Sequence, residues 1–332
     1  MISIFLLCFL ALCGCTADSQ SPCTSQIFAL DTVIDITAYG DNGQKAISAA
    51  SKEIYRLEKL FSVTNENSEI YMLNHSGGKE VTLSEETYSL LKTAKEINAA
   101  TMGNFDITIY PVLTLWGFTE EEYRVPSDTE ITDALACTGI ENIVLSENNT
   151  VVLLNNAQVD LGGIAKGYIA DKAAQAMTDS GCTAGLLSLG GNIRTVGKKP
   201  SAELWSIGIQ SPESKGYFAT VSTEECSVIT SGAYQRNFTE NGVTYHHIID
   251  PQTGKPSTSE AVSVTIIGKD GAVCDALSTA VYISGVDYAE NLYKTMDFEY
   301  IILTSDKKVY VSTGIKDVFT LAENTDLEVI YK

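Results

Sequence analysis

The sequence predicts an α+β fold, built as two interleaved lobes of mixed or antiparallel sheet with flanking helices and a cleft between them. Three observations carry this prediction. Runs of strand length recur in the second half: "AGLLSL", "WSIGIQ", "YFATVS", "CSVITS", "YHHIID" and "AVSVTIIG". Two pairs of runs read as hairpins, 142–145 with 150–154 around "SENN", and "EYIILTSDKKVYVST" around Ser305–Lys308. Long segments with apolar residues at helical spacing stand among them, and such a mixture of hairpins and helices is the mark of α+β.

Taken in order, residues 26–39 alternate, with Phe28, Leu30, Ile34 and Ile36 interleaved with polar residues, and predict a strand. Asp41 or Asn42 can cap a long helix whose apolar face is Ile47, Ile54, Leu57 and Phe61. Ser84 opens a second helix with the stripe Leu90, Leu91, Ala94 and Ile97. "NFDITIYPVLTLWGF" reads as a loop because of Pro111, and Ser127 caps a third helix through Ala136. A helix after Gly163 carries Ile164, Ala165, Ile169, Ala173 and Met177 and ends at Gly181. Two more helices fit Cys274–Ser284 and "DYAENLYKT".

The 332 residues suffice for one large domain or two modest ones. A net charge of -20 argues against nucleic acid, whose phosphates reward Lys and Arg. The apolar run Ile2–Leu12 is too short to span a bilayer as a mature helix. It ends in Leu12-Cys13-Gly14-Cys15, which resembles the lipobox of bacterial lipoproteins, with Cys15 the lipidated residue; an ordinary secretory signal is the plainer reading. The expected organisation is a signal peptide over 1–14, a polar tether over 15–27 and one domain over 28–332. Cys23, Cys137, Cys182, Cys226 and Cys274 are scattered without a CxxC and read as free thiols rather than a zinc or redox site.

Four stretches can carry chemistry. In "VDLGGIAKGYIAD", Gly162 and Gly163 allow close backbone approach to a ligand, and the following helix offers free N–H groups. Lys166 lies in its first turn, where a cation opposes the helix dipole; either an anion binds there or the lysine is simply solvated. In "CDALSTAVYISG", Asp275 and Thr279 are four apart and share a helical face, with Ser278 beside them. An all-oxygen set suits Mg²⁺; a helix cap and a hydroxyl bonded back to a carbonyl would explain the same residues. In "YHHIIDPQTGKP", His246 and His247 point to opposite faces of a strand, so one can reach a cleft and act as a base. In "GNFDITIYPVLTLWGF", Phe105, Tyr110 and Trp116 offer flat surfaces and Asp106 an acceptor, although aromatics in such a stretch are more often core.

The order and spacing of "DLGGIAKGYIAD", "SLGGN", "WSIGIQSP", "TSGAY", "HHIIDPQTGKP" and "DALSTAVYISG" resemble the ApbE family, the FAD:protein FMN transferases, over nearly the whole chain from Phe28. The resemblance implies a T-fold-related architecture, FAD as substrate, and Mg²⁺ on its pyrophosphate. It implies transfer of FMN to a threonine hydroxyl of a target protein, with AMP leaving. Asp275, Thr279, the Gly163 carbonyl and, in some members, the position of Ser278 would be the metal ligands. Leu30, Asn104, Phe105, Asp106, Asp160, Lys166 and Ile249 would contact the flavin nucleotide, and His247 would be the base. Targets would be exported flavin-carrying subunits of sodium-pumping NADH:quinone reductases or Rnf-type complexes. The enzyme would be lipid-anchored in the cell envelope, on the outer face of the cytoplasmic membrane or in the periplasm. FAD hydrolysis to FMN and AMP at the same site, or flavin binding without catalysis, are the competing readings.

Overall fold

The structure, a computed structural model, describes residues 21–120, 122–201 and 203–332. The expected signal peptide, the lipobox and Cys15 lie outside the described residues. Eight α-helices are present among those described: α1 (Gly43–Phe61), α2 (Glu69–Asn74), α3 (Glu85–Ala100), α4 (Tyr110–Leu115), α5 (Asp128–Leu135), α6 (Ala165–Asp179), α7 (Gly271–Ser284) and α8 (Val286–Tyr293).

The two lobes share one nine-stranded sheet. Its strands run, in spatial order, Cys23–Ala29, Thr32–Ala38, Ala184–Leu189, Asn192–Gly197, Ser227–Gly232, Ala261–Gly268, Glu299–Thr304, Lys308–Val311 and Glu328–Tyr331. Every neighbouring pair is antiparallel except the last, so the expected mixed α+β architecture holds. At the first-hairpin end, α1, α3 and α6 bury one large apolar cluster against the sheet. At the other end, α7 and α8 bury a second around Val264, Ile266, Tyr300 and Ile302. A three-stranded sheet (Trp205–Gln210, Tyr217–Thr223, Phe319–Leu321) packs a third cluster that includes Val228, Ile301 and Val309.

The helices form where apolar spacing and caps agree. All four expected apolar residues of α1 are buried, each worth about 1.5–3 kcal/mol. Ser84 accepts from the Thr87 amide at the start of α3, and Ser127 forms a reciprocal capping box with Glu130 at the start of α5. Where α6 crosses α7, Gly167 and Gly271 let the two backbones touch. A Cβ on Gly167 would lie 1.9 Å from the Gly271 carbonyl oxygen.

Several expectations need correction. Residues 26–39 are not one strand but a hairpin, because Leu30 and Asp31 adopt φ of 55° and 56° and make a two-residue turn. The turn resets the alternation: Ala29, Ile34, Ile36 and Ala38 face inward, and Phe28 faces out. The chain also enters the sheet at Cys23, inside the segment expected to be a tether through residue 27. The aromatic stretch is not a loop: a 3₁₀ turn, Ile107–Ile109, leads into α4, with Pro111 in the first helical turn, where a missing N–H costs nothing. "YHHIID" is broken into Val243–His246 and Ile249–Asp250. Cys182, Cys226 and Cys274 are buried and free, Cys23 and Cys137 half-buried and free. No described helix is long and apolar enough to cross a membrane.

Candidate active site

A cleft of about 1140 Å³ opens where the two lobes meet. The first hairpin turn, the end of α1, the loop before α4, the corner before α6, the Gly190–Asn192 turn, the segments around Arg236 and His247, and one face of α7 all border it.

Its acidic centre sits on α7. Asp270 caps that helix, accepting from the Val273 amide at 3.0 Å, and so fixes Asp275 one turn further on. The Asp275 carboxylate accepts from the Gly167 amide at 2.9 Å and from Asn192 Nδ2 at 3.0 Å. Burial pushes its pKa up, against the pull of Lys166 and these donors. Each carboxylate oxygen keeps a second acceptor site. Thr279, one turn later, lines the same cleft, and a Cβ on Gly163 would lie 3.8 Å from its hydroxyl. Among the described residues no three His, Cys, Asp or Glu side chains converge on a metal position. One carboxylate, one hydroxyl and one carbonyl together fit Mg²⁺, which keeps several waters and takes few protein ligands. Ser278 does not belong to this set. Its hydroxyl is fully buried, donates to the Asp275 carbonyl at 2.7 Å and pairs with Ser231 at 2.8 Å. Capping and back-bonding therefore fall to Asp270 and Ser278, leaving Asp275 and Thr279 facing the cleft.

The corner before α6 adjoins this face of α7. Asp160 is anchored by its amide to the Ile107 carbonyl at 2.8 Å, and its carboxylate accepts from the Gly162 amide. Burial raises its pKa, and Arg236 opposes that rise. Gly163 packs close to Phe105, whose Cε2 would sit 3.2 Å from a Cβ there, so a side chain at this corner would require the ring to shift by a few tenths of an ångström. Lys166 reaches into the cleft and has no ion pair among the described residues. Phe105 is held at both ends, its carbonyl accepting from Asn98 Nδ2 at 2.8 Å and its amide donating to Thr101 Oγ1 at 3.3 Å. Asn104 donates to the Thr101 carbonyl at 3.1 Å, so both flanks of Phe105 are fixed. The Asp106 carboxylate accepts from the Thr108 amide at 2.8 Å, and burial raises its pKa.

The two histidines diverge as their positions predict. His246 turns away, with Nε2 at 3.1 Å from the Ser257 carbonyl and its ring edge-on to Tyr282. His247 faces the cleft, with Nδ1 3.1 Å from the Arg236 carbonyl. A carbonyl only accepts, so Nδ1 carries the proton and Nε2 keeps a lone pair. Burial, then the charges of Lys166 and Arg236, push the His247 pKa down to about 4. Ile249 and Leu30 also line the cleft.

Not every expected residue arrives there. Trp116 is core, its Nε1 donating to the Gly254 carbonyl at 2.8 Å, and Tyr110 does not line the cleft; Phe118 and Tyr123 do so instead. Arg236, Asn192, Tyr234 and Glu58 line it as well, beyond the residues expected from the sequence. Asn192 closes the run "SLGGN" and Arg236 stands two residues past "TSGAY", but nothing in their spacing marks them.

The sequence model of the ApbE family matches residues 30–302. An FAD:protein FMN transferase of Treponema pallidum is 30% identical over 95% of this chain and 93% of its own. One from Klebsiella pneumoniae is 31% identical over 78% of this chain and 82% of its own. A crystal structure of an ApbE protein from Thermotoga maritima superposes with a TM-score of 0.86 at 35% identity, covering 90% of this chain and 99% of that one.

Proposed function

The chain belongs to the ApbE family, and on that premise we propose how its cleft works as an FAD:protein FMN transferase. FMN passes from FAD to a protein acceptor and AMP leaves; the acceptor atom in this reading is a threonine hydroxyl oxygen. That oxygen attacks the phosphorus of the FMN half, the pyrophosphate P–O bond breaks toward AMP, and the hydroxyl proton goes to the protein.

The observation that carries this reading is the pairing of His247 with the α7 face. A neutral imidazole whose Nε2 keeps a lone pair opens onto the same cleft as Asp275, Thr279 and Lys166, which has no ion pair among the described residues. A general base must hold a lone pair at working pH, and His247 does. Lys166 and Arg236 place positive charge on the side facing Asp275 and Asp160, where a pyrophosphate needs neutralising. Phe105 and Leu30 offer apolar surface to the flavin ring, and Asp160, Asn104 and Asp106 offer polar groups to its edges. Asp275, Thr279 and the Gly163 carbonyl would hold Mg²⁺, which when bound neutralises pyrophosphate charge.

In this reading the enzyme is exported and lipidated at Cys15, and it modifies flavin-carrying subunits of Rnf-type or sodium-pumping NADH:quinone reductase complexes. The run ending in Leu12-Cys13-Gly14-Cys15 supports the first part. Membrane fractionation of Cys15→Ala tests it, release from the membrane fraction being the expected result. Incubating the protein with FAD, Mg²⁺ and the soluble domain of an Rnf-type flavin subunit tests the reaction. Intact-mass spectrometry should show the acceptor heavier by one FMN, with one AMP released per acceptor. AMP and free FMN with an unmodified acceptor would make the protein a hydrolase.

A further inference from the structure

We propose that the tip of the first hairpin is the docking surface for the acceptor polypeptide, the segment that carries the modified hydroxyl. This rests on the transferase reading above. The hairpin's inward face is ordinary core. On its outward face Thr24, Gln26 and Asp35 are exposed and polar, and Gln26 Nε2 donates to Asp35 at 2.9 Å. An antiparallel strand with one solvated face should stay polar along that face. The rule breaks at the tip, where Phe28 is 67% exposed and Val33 46% exposed. The two are direct partners in the strand register, so they form one apolar patch.

The patch adjoins the cleft along the chain. Residues 29–32 join Phe28 to Val33, and of these Leu30, Asp31 and Thr32 line the cleft. The tip is also fixed. Leu30 donates its amide to Glu58 Oε1 at 2.6 Å, and Thr32 packs against Gly190, where a Cβ would meet its hydroxyl at 2.6 Å. A reaction whose second substrate is a protein must bring that protein's surface over the cleft mouth. A rigid pair of exposed apolar side chains on that rim is what an incoming segment can cover.

The test is steady-state flavinylation of the soluble domain of an Rnf-type flavin subunit at saturating FAD, using Phe28→Ser/Val33→Thr in the full chain. The acceptor KM should rise about tenfold or more, with kcat, FAD affinity and melting temperature unchanged. Phe28→Leu, which keeps an apolar side chain, should hold the KM near that of the unsubstituted protein. Normal transfer with an unmoved acceptor KM would overturn the docking surface alone. So would an unmoved KM accompanied by loss of a dimer in sedimentation, which would assign the patch to a second copy. Absence of transfer by the unsubstituted protein would overturn both this surface and the reading beneath it.

Discussion

His247 owes its chemistry to its environment rather than to its type. Burial lowers its pKa to about 4, while the unfolded chain keeps the ordinary value near 6.5. A histidine with a lowered folded pKa adds stability above about pH 6.5 and loses it as pH falls toward 4, because the unfolded chain binds the proton first. Two results are expected. An NMR titration of the ligand-free protein should place the ring's midpoint near 4, and His247→Gln should flatten the loss of stability between pH 6.5 and 4, by about 3 kcal/mol at most. The same substitution should depress transfer about 10²–10⁴-fold while FAD affinity, read by fluorescence, changes little. Asp275 supports a different expectation. Its carboxylate is buried at a cost, so Asp275→Asn should fold without loss of melting temperature in EDTA. Added Mg²⁺ should raise the melting temperature of the unsubstituted protein and leave the variant unmoved. Asp275 and Thr279 were legible in the sequence because four residues along a helix returns to one face. Ser278, offered as a ligand by the resemblance, lies three residues after Asp275 and near the same face, but its hydroxyl is taken up by the Asp275 carbonyl and by Ser231. Arg236 was hidden because it reaches the cleft only where the chain doubles back and its carbonyl meets His247.

At the scale of elements, the crossing of α6 over α7 accounts for the last of the three glycines in "GGIAKG" and the corner before it for the second. Gly163 leaves room for Phe105, while Gly167 allows helix contact and presents its amide to Asp275. Gly167→Ala should force the helices apart at the point that aims the carboxylate. The expected destabilisation is about 1–3 kcal/mol in urea unfolding, and the concentration of Mg²⁺ needed for half-maximal transfer should rise. An unchanged urea midpoint would mean that the crossing is looser than the 1.9 Å approach implies. Long helices were legible because seven-residue repeats of buried positions survive local noise, as in α1 and α6. The first hairpin was not, because Leu30-Asp31 turns without glycine or asparagine. Short strands such as Asn237–Glu240 and Glu328–Tyr331 carry too few residues for a period to show.

For the whole molecule, the net charge of -20 could be read directly from the sequence, but the sheet could not. Its order places the strand at Cys23 at one edge and the strand at Glu328 at the other, with distant segments paired between them. No local pattern encodes such pairings. Their consequence is mechanical: one sheet runs through both lobes, and the cleft is lined by residues far apart in the chain, Leu30 and Lys166 together with His247 and Asp275. A ligand held there stabilises both lobes together. With FAD at about 100 times its dissociation constant, linkage predicts about 2.7 kcal/mol of added stability, a shift of several degrees for a chain of this size. Calorimetry should show one unfolding transition that moves upward as a unit when FAD and Mg²⁺ are added, and that falls back when EDTA removes the metal. Two transitions of which only one responds to FAD would show that the lobes unfold separately and that a single lobe holds the ligand.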